Sequence, residues 1–357
     1  MNATKQYIKI YEEVKEDIIE GRYLFGEKLP SKRVMAERMG VSVITVVHAY
    51  ELLAEEGYIS TREKSGYFIT FDDKQVYTGI SGVKENNIQN SVKVQVGSNE
   101  DTAFSFSIYA KTVRRVLSEY GDLVTEKSPM QGIYSFRKAI ADYLARSRRI
   151  TVDPDQIFVG AGAEYLYGLI VQTFGREIIY GIESPSYQKI AMVYEAGGAN
   201  IQMLDLGADG VDSEQLWNGP MKVLHITPYR SFPSGVTASA AKKREYLKWS
   251  NKRNAYIIED DFESEFTPSR KPEETLFSID DSQRVIYVNT FTKTIGSYTR
   301  AAYMVVPEKL KDLFIKKVGF YECPVPTIDQ LVIAELICSG DFERHINKVR
   351  RLNRIKS

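Results

Sequence analysis

Reactive and polar side chains follow several of the chain's apolar, β-rich segments. Lys293 stands in VIYVNTFTKTIGSYTR, three residues after Thr290 and seven before Arg300. Asp260, in AYIIEDDFESEF, lies at the end of a predicted strand. A lysine amine can form a Schiff base, a carboxylate can keep a ring nitrogen protonated, and hydroxyl and guanidinium groups can bind phosphate. These residue types together indicate chemistry on a phosphorylated aromatic aldehyde.

Two further segments supply what such a ligand needs. In FVGAGAEYLYG a β-rich segment turns through Ala161, Gly162 and Ala163 into a helical one, and backbone N–H groups at a helix start favour phosphate. Tyr187, in ESPSYQ, could stack on an aromatic ring. Ligands of open α/β sheets bind beyond the carboxyl ends of the strands, where all of these residues are expected. The pattern predicts a site for pyridoxal 5'-phosphate, with Lys293 as its catalytic residue.

Each of these residues alone has a simpler explanation. A lysine after a strand is usually solvated, and a small-residue turn often serves only tight packing. Asp260 could cap a helix, and Tyr187 could be a core aromatic residue. Taken singly, the residues therefore leave a cofactor site and an ordinary folded domain both open.

The elements that must position these residues alternate along the chain. Helical segments separate most of the apolar, β-rich ones, which predicts an α/β fold with a mostly parallel, seven-stranded sheet. The seven strand candidates are 156–160, 177–182, 200–205, 221–226, 255–259, 284–290 and 301–306. Beyond Pro307 the pattern is helical to the end of the chain.

The N-terminal region has a different organisation. Apolar residues at helical spacing predict a helix over 4–20, a second helix from Ser31 to about Gly40, and a third from Ser42 to about Glu56. Two β-type segments follow, Tyr58–Arg62 and Gly66–Phe71. Two helices joined by a tight turn and followed by a hairpin predict a winged helix-turn-helix, whose last helix enters the major groove of DNA.

The predicted core face of that last helix is Val46, Ala49 and Leu53, which turns the start of the helix, including Val43 and Ile44, towards the groove. The candidate DNA-binding residues are Ser31, Lys32, Arg33, Ser42, Thr45, His48, Arg62 and Lys64. Residues 1–71 contain ten Lys and Arg but eleven Asp and Glu, so a small module for protein contacts is the alternative.

Composition and boundaries complete the prediction. We expect a DNA-binding domain over 1–72, a polar, aperiodic linker over 73–91 and an α/β domain over 92–357. Lys+Arg and Asp+Glu both number 47, so the chain does not simply coat nucleic acid or membrane. With two cysteines, we expect no disulfide framework and no metal site. The polar, periodic N-terminus and the lack of a long apolar segment lead us to expect neither a signal peptide nor a membrane-spanning segment. A cytoplasmic protein is expected.

Two stretches carry a resemblance to known families. LPSKRVMAERMGVSVITVVHAYELLAEEGYISTREKSGYFIT closely resembles the GntR-type winged helix. From about Phe104 to Arg351 the chain resembles fold-type I aminotransferases, in SPMQGIYSFRKAIADYLARSRRITVDPDQIFVGAGAE, ITPYRSFPSGVT, IIEDDFESEF and TFTKTIGSYTR. Together they resemble the MocR subgroup of GntR regulators. The resemblance implies these roles: Lys293 forms the internal aldimine, Asp260 contacts the pyridine nitrogen, Tyr187 stacks, and Thr290 and Arg300 bind phosphate.

Several positions depart from the family pattern. In the winged helix, Val43 stands at a position where the family usually has Arg. In the second domain, Phe262, which we expect beside the cofactor, stands where Tyr is common, and Ala161 stands where Ser is frequent. Losing two buried hydrogen bonds would weaken cofactor binding by about tenfold to thirtyfold. Arg230, Ser297 and Ala302 replace a common His, Pro and Gly. Relatives also continue beyond HINKVRRLNRIKS, so the C-terminal small domain is expected to be incomplete.

Three functions follow from these expectations. In the first, the protein is a homodimeric regulator that binds a double-stranded DNA operator and senses pyridoxal phosphate, with an amino compound as a further effector. In the second, it is a working aminotransferase with a DNA-binding appendage. In the third, it binds DNA and keeps its second domain as a cofactor-free scaffold for dimerisation.

Overall fold

In the computed structural model the chain forms two compact units. The described residues are 3–19, 21–55, 57–62, 65–70, 103–267, 273–296 and 298–356. The predicted linker over 73–91, Lys64 on the predicted wing and Ser297 lie outside them.

The first unit has the helix order predicted from the sequence. It contains α1 (Ala3–Ile19), α2 (Lys32–Met39), α3 (Val43–Glu55), β1 (Ile59–Arg62) and β2 (Gly66–Ile69). The two strands form an antiparallel hairpin. This arrangement is a winged helix-turn-helix.

Capping residues define the helix-turn-helix. Ser31 Oγ accepts a hydrogen bond from Val34 N at the start of α2, and Gly40 ends that helix with a φ of 63°. Ser42 Oγ accepts one from Thr45 N, 3.2 Å away, at the start of α3. Caps of this kind satisfy the unpaired N–H groups of a helix start, so both helices begin where the sequence predicts.

One apolar core holds the first unit together. The predicted inner face of α3, formed by Val46, Ala49 and Leu53, is completely buried. It belongs to the same apolar cluster as Val14 and Ile18 of α1. The helical spacing of these residues therefore identified the buried face of α3 correctly.

The second unit is built on one sheet of eight strands among the described residues. The strands are β3 (Ile157–Gly160), β4 (Ile179–Ser184), β5 (Asn200–Gly207), β6 (Gly210–Val211), β7 (Val223–Ile226), β8 (Tyr256–Asp260), β9 (Val285–Thr290) and β10 (Ala302–Val305). Seven of them are the strands predicted from the sequence. The eighth, β6, has only two residues, too few to show a β pattern, and pairs antiparallel at the edge with β5.

Strand direction brings the functional segments to one edge of the sheet. The order is β3-β10-β9-β8-β7-β4-β5-β6, and β4, β5, β7, β8 and β9 are parallel. Since β10 is antiparallel to both β3 and β9, β3 shares the common direction. The start of β10 therefore lies at the same edge as the carboxyl ends of the other strands.

Helices cover both faces of this sheet. They are α4 (Phe106–Tyr120), α5 (Tyr134–Arg148), α6 (Ala163–Phe174), α7 (Gln188–Ala196), α8 (Ser213–Asn218), α9 (Ala240–Arg253), α10 (Thr292–Ile295), α11 (Glu308–Val318), α12 (Thr327–Cys338) and α13 (Asp341–Lys356). One apolar cluster joins the sheet to α4, α5, α12 and α13, and another joins it to α6, α7 and α11. Burial on both faces explains why β3, β7, β9 and β10 are mostly apolar rather than alternating, whereas β5, near the edge of the sheet, keeps exposed polar residues. Within the described ranges, no helix is long and apolar enough to cross a membrane.

Candidate cofactor site and nucleic-acid interface

The carboxyl edge of the large sheet holds a cavity of about 450 Å³. Seven of the predicted cofactor residues line it: Gly162, Ala163, Tyr187, Asp260, Phe262, Thr290 and Arg300. Most of these residues end or follow a parallel strand, whereas Arg300 precedes the antiparallel strand β10. Separate regions of sequence thus meet at one place, as the rule for open α/β sheets requires.

Two predicted residues do not line the cavity. Ala161 packs against the apolar cluster on one face of the sheet. The Lys293 ammonium lies 3.0 Å from Glu263 Oε1 and 5.7 Å from the centre of the Phe262 ring. Lys293 nevertheless belongs to α10, directly after Thr292, which does line the cavity. The catalytic candidate is therefore next to the cavity but paired with a carboxylate.

The turn between β3 and α6 forms a cradle that a side chain would fill. Gly162 has a φ of +100°, a conformation that favours glycine. A Cβ there would lie 3.0 Å from Glu164 Oε2 and 3.2 Å from Arg300 Nη2. The backbone at the start of α6 and the Arg300 guanidinium thus lie close together. This combination suits a phosphate group.

Asp260 presents a buried carboxylate to the same cavity. Its Oδ2 atom accepts a hydrogen bond from the Tyr167 hydroxyl and lies 3.7 Å from His225 Nε2. The Tyr194 hydroxyl is 3.0 Å from the other ring nitrogen, His225 Nδ1. The carboxylate is therefore held in one orientation, as a partner for a protonated ring nitrogen must be.

Tyr167 and His225 are not among the site residues predicted from the sequence. Tyr167 lies one turn along α6 from Ala163, so it faces the cavity from a helix that the sequence did locate. His225 is a polar residue within the fully buried strand β7. An ionisable side chain inside a buried strand is the signal that would have identified it.

Glu183 is a second buried carboxylate near this edge. Its Oε1 atom accepts hydrogen bonds from Ser231 Oγ at 2.5 Å and from Thr227 N at 3.1 Å. Burial raises the pKa of Glu183 to about 7, against the opposing effect of these two donors. Since Thr227 lines the cavity, Glu183 connects the end of β4 to the cavity wall that follows β7.

The three consecutive acidic residues Glu259, Asp260 and Asp261 have different partners. Asp261 Oδ2 lies 3.1 Å from the buried Arg148 guanidinium and accepts a hydrogen bond from Tyr287. Glu259 accepts hydrogen bonds from the backbone N–H groups of residues 276 and 277, and burial raises its pKa to about 7. Asp260 is thus the residue of this run that faces the cavity.

The predicted DNA-binding residues lie mainly on the surface of the first unit. Ser31, Arg33, Ser42 and His48 are exposed. The half-buried Lys32 places its ammonium 5.1 Å from the centre of the Tyr67 ring. The exposed Arg62 places its guanidinium 4.4 Å from the centre of the Phe68 ring. These cations rest on aromatic rings of the hairpin and keep their charge for an outside partner.

Thr45 differs from its predicted position. It is only 7% exposed, and its hydroxyl lies 2.8 Å from Ser42 Oγ at the start of α3. The expectation that its side chain faces the groove was wrong, because that side chain turns inward beside the helix cap. Val43 and Ile44 are 41% and 69% exposed, so the outer surface of the first turn is apolar.

Comparisons with known proteins agree with both units. The family described as "Bacterial regulatory proteins, gntR family" matches residues 6–69, and "Aminotransferase class I and II" matches residues 93–355. The uncharacterized HTH-type transcriptional regulator YdeL of Bacillus subtilis (strain 168) is 32% identical over 98% of this chain and 77% of its own. The probable rhizopine catabolism regulatory protein MocR of Rhizobium meliloti is 27% identical over 96% and 74%, respectively.

A solved structure agrees with the fold of the second unit. The α-aminoadipate aminotransferase LysN from Thermus thermophilus has a TM-score of 0.63 and 24% sequence identity. The match covers 71% of this chain and 65% of that chain, just under two thirds of the enzyme's length. The likeness shows a fold-type I aminotransferase architecture.

These findings define a DNA-binding transcriptional regulator with an aminotransferase-like domain. The chain belongs to the GntR-type regulators that carry an aminotransferase class I and II domain, consistent with their MocR subgroup.

Proposed function

We propose that this regulator senses pyridoxal 5'-phosphate with its second unit and binds an operator with its winged helix. The observation that carries the proposal is the cavity in which the Gly162 cradle, Arg300, Asp260 and Tyr187 meet. These residues match the separate parts of this one cofactor. The phosphate suits the cradle and Arg300, the ring nitrogen suits Asp260, and the ring face suits Tyr187.

Different residues of the chain would contact different parts of the cofactor. Asp260, fixed by Tyr167 and His225, would keep the ring nitrogen protonated. Thr290 would add a hydroxyl near the phosphate. Pyridoxal phosphate supplies an aldehyde that reacts with amines and a ring that withdraws electrons from the product. The Lys293 amine would first have to leave Glu263.

On the DNA side, the exposed residues of α2, α3 and β1 would contact the operator. Arg33 and Arg62 would contact phosphates, whereas Val43 and Ile44 would face base edges. A homodimer would place two winged helices on two half-sites. An amino compound that reacts with the bound cofactor would be a second effector.

The test is a titration of the purified full chain with pyridoxal phosphate, followed by absorbance. Wild type is expected to develop a saturable band in the visible or near-ultraviolet region that Lys293→Ala lacks. Lys138→Ala, which removes an exposed lysine of α5, is the matched control. If wild type and Lys293→Ala give the same spectra, the cofactor proposal fails.

One observation favours a second function, that of a DNA-binding protein with a cofactor-free scaffold. Lys293 does not line the cavity, and its ammonium is paired with the Glu263 carboxylate. The same titration separates the two functions. Sustained transfer of an amino group to a keto acid would instead indicate a working aminotransferase.

A further inference from the structure

Glu164 occupies an unusual place at the cavity. It lies in the first turn of α6 and lines the cavity beside the Gly162 cradle. Its Oε2 atom is 3.5 Å from Arg300 Nη2, and its Oε1 atom is 4.0 Å from Lys189 Nζ. Two cations of the cavity wall therefore converge on a carboxylate that belongs to the chain itself.

The position of that carboxylate coincides with the region suited to phosphate. Glu164 Oε2 lies 3.0 Å from where a Cβ on Gly162 would be, and Arg300 borders the same point. Anions bind where a helix start and a guanidinium meet, and the Glu164 carboxylate is an anion already at this place. It pairs with both cations from within the chain itself.

We propose that Glu164 is an internal competitor for the phosphate group and sets the concentration at which the regulator responds to a pyridoxal phosphate ester. This inference rests on the proposed function. When phosphate enters, Arg300 exchanges a carboxylate for a phosphate, and Glu164 turns towards solvent. The exchange is feasible because about a third of the Glu164 side chain is already exposed.

Competition follows from the charges. A phosphate that reaches Arg300 must displace the Glu164 carboxylate, because two like charges about 4 Å apart repel appreciably even in water. A regulator that responds to cofactor level must release the cofactor when that level falls. A competing side chain lowers affinity for the phosphate without altering the residues that recognise the ring.

The experiment compares two ligands on wild type and Glu164→Gln. Gln keeps the size of the side chain and removes its charge. We expect the affinity for pyridoxal 5'-phosphate to rise about tenfold in Glu164→Gln, while the affinity for pyridoxal, which has no phosphate, stays unchanged. Glu195→Gln removes one exposed charge from α7 outside the cavity lining and should change neither affinity.

A second measurement does not depend on Lys293. In the Lys293→Ala background, inorganic phosphate should raise the melting temperature more in Glu164→Gln than in its parent. That result would support the competitor even if the cofactor spectra disproved the proposed function. Equal or smaller stabilisation by phosphate would overturn the inference. The inference would also be overturned if the affinity of Glu164→Gln for pyridoxal phosphate were unchanged or lower, or if its affinity for pyridoxal rose equally. A lower affinity for pyridoxal phosphate would mean that Glu164 positions Arg300.

Discussion

The two units of this regulator hold their cations in different ways. On the winged helix, Lys32 and Arg62 rest on the rings of Tyr67 and Phe68. At the cavity, Lys293 contacts Glu263, while Arg300 and Lys189 contact Glu164. An aromatic ring leaves a cation able to bind phosphate directly, whereas a carboxylate must first be displaced. DNA binding should therefore be a direct association, and cofactor binding an exchange of partners.

The units also differ in where their acids lie. Most of the described acids of the winged helix are at its surface, whereas the second unit buries carboxylates such as Glu183 and Glu259, and burial raises the pKa of both to about 7. Burial is costly for a charged carboxylate, so the second unit carries a dependence on pH that the first does not need.

The largest effect should come from Glu183→Gln. The pKa of this carboxyl is 4.5 in the unfolded chain and about 7 in the folded protein, where burial raises it, so the folded state binds more protons between these pH values. Stability from the neutral form is present below about pH 4.5 and is lost as the pH rises through 7. Gln resembles that neutral form and keeps Oε1 as acceptor. Between pH 5 and 8, its free energy of unfolding relative to wild type should rise by up to about 3 kcal/mol.

Chemical denaturation of the second unit at several pH values measures this difference. Glu195→Gln, on the surface of α7, is the control and should follow the wild-type curve at every pH. A difference between Glu183→Gln and wild type that stays constant from pH 5 to 8 would mean that Glu183 does not titrate in this window.

Arg62→Ala should weaken operator binding about tenfold. The slope of log affinity against log salt concentration should fall by about 1, the value expected for the loss of one phosphate contact. The reason is that Arg62 lies exposed on the wing with its guanidinium over the Phe68 ring. Affinity for an operator duplex selected from a random library, measured at several salt concentrations, tests this. Arg22→Ala, which removes an arginine paired with Asp17, is the matched control. A loss of affinity with no change in salt slope would exclude a phosphate contact.

A smaller effect should come from the apolar start of α3. Val43 and Ile44 are exposed where base edges would lie, and apolar side chains contact the methyl group of thymine. Replacing one contacted thymine of the selected duplex by deoxyuridine removes only that methyl, and binding should weaken about fourfold. In the Ile44→Ala variant, the same replacement of thymine by deoxyuridine should weaken binding by a smaller factor than in wild type. If no thymine shows the effect, Ile44 does not read bases in this way.

The smallest change is expected from Glu263→Gln, which removes the charge that holds the Lys293 ammonium. Pyridoxal phosphate should bind about threefold more tightly, because one ion pair at a partly exposed site contributes under about 1 kcal/mol. Pyridoxal should gain equally, since this contact concerns the amine and not the phosphate. A gain confined to the phosphate ester would assign Glu263 to the same role as Glu164.

The sequence predicts those features that depend on local pattern. Strands β3, β8 and β9 are recognisable because both of their faces are buried. Gly162, Asp260 and Thr290 could be placed because each ends or follows one of these strands. The core face of α3 follows from helical spacing alone. These features need no knowledge of how distant segments pack.

Features that depend on side-chain partners could not be predicted. Thr45 was assigned to the groove by helical position, but its hydroxyl lies against Ser42 and the side chain is buried. The Lys293–Glu263 contact joins α10 to the turn after β8. His225 meets Asp260 only because β7 and β8 are neighbours in the sheet. Such contacts follow from strand order, which the sequence pattern does not contain.

The central claim is that the cavity senses pyridoxal phosphate and the winged helix reports it. One titration tests this directly: operator affinity of the full chain is measured against pyridoxal phosphate concentration, with absorbance followed in the same samples. The account predicts that both signals change with the same midpoint and that Lys293→Ala loses both changes while still binding DNA. The contrary result would be a wild-type protein whose absorbance signal reaches saturation while its operator affinity does not change with pyridoxal phosphate concentration.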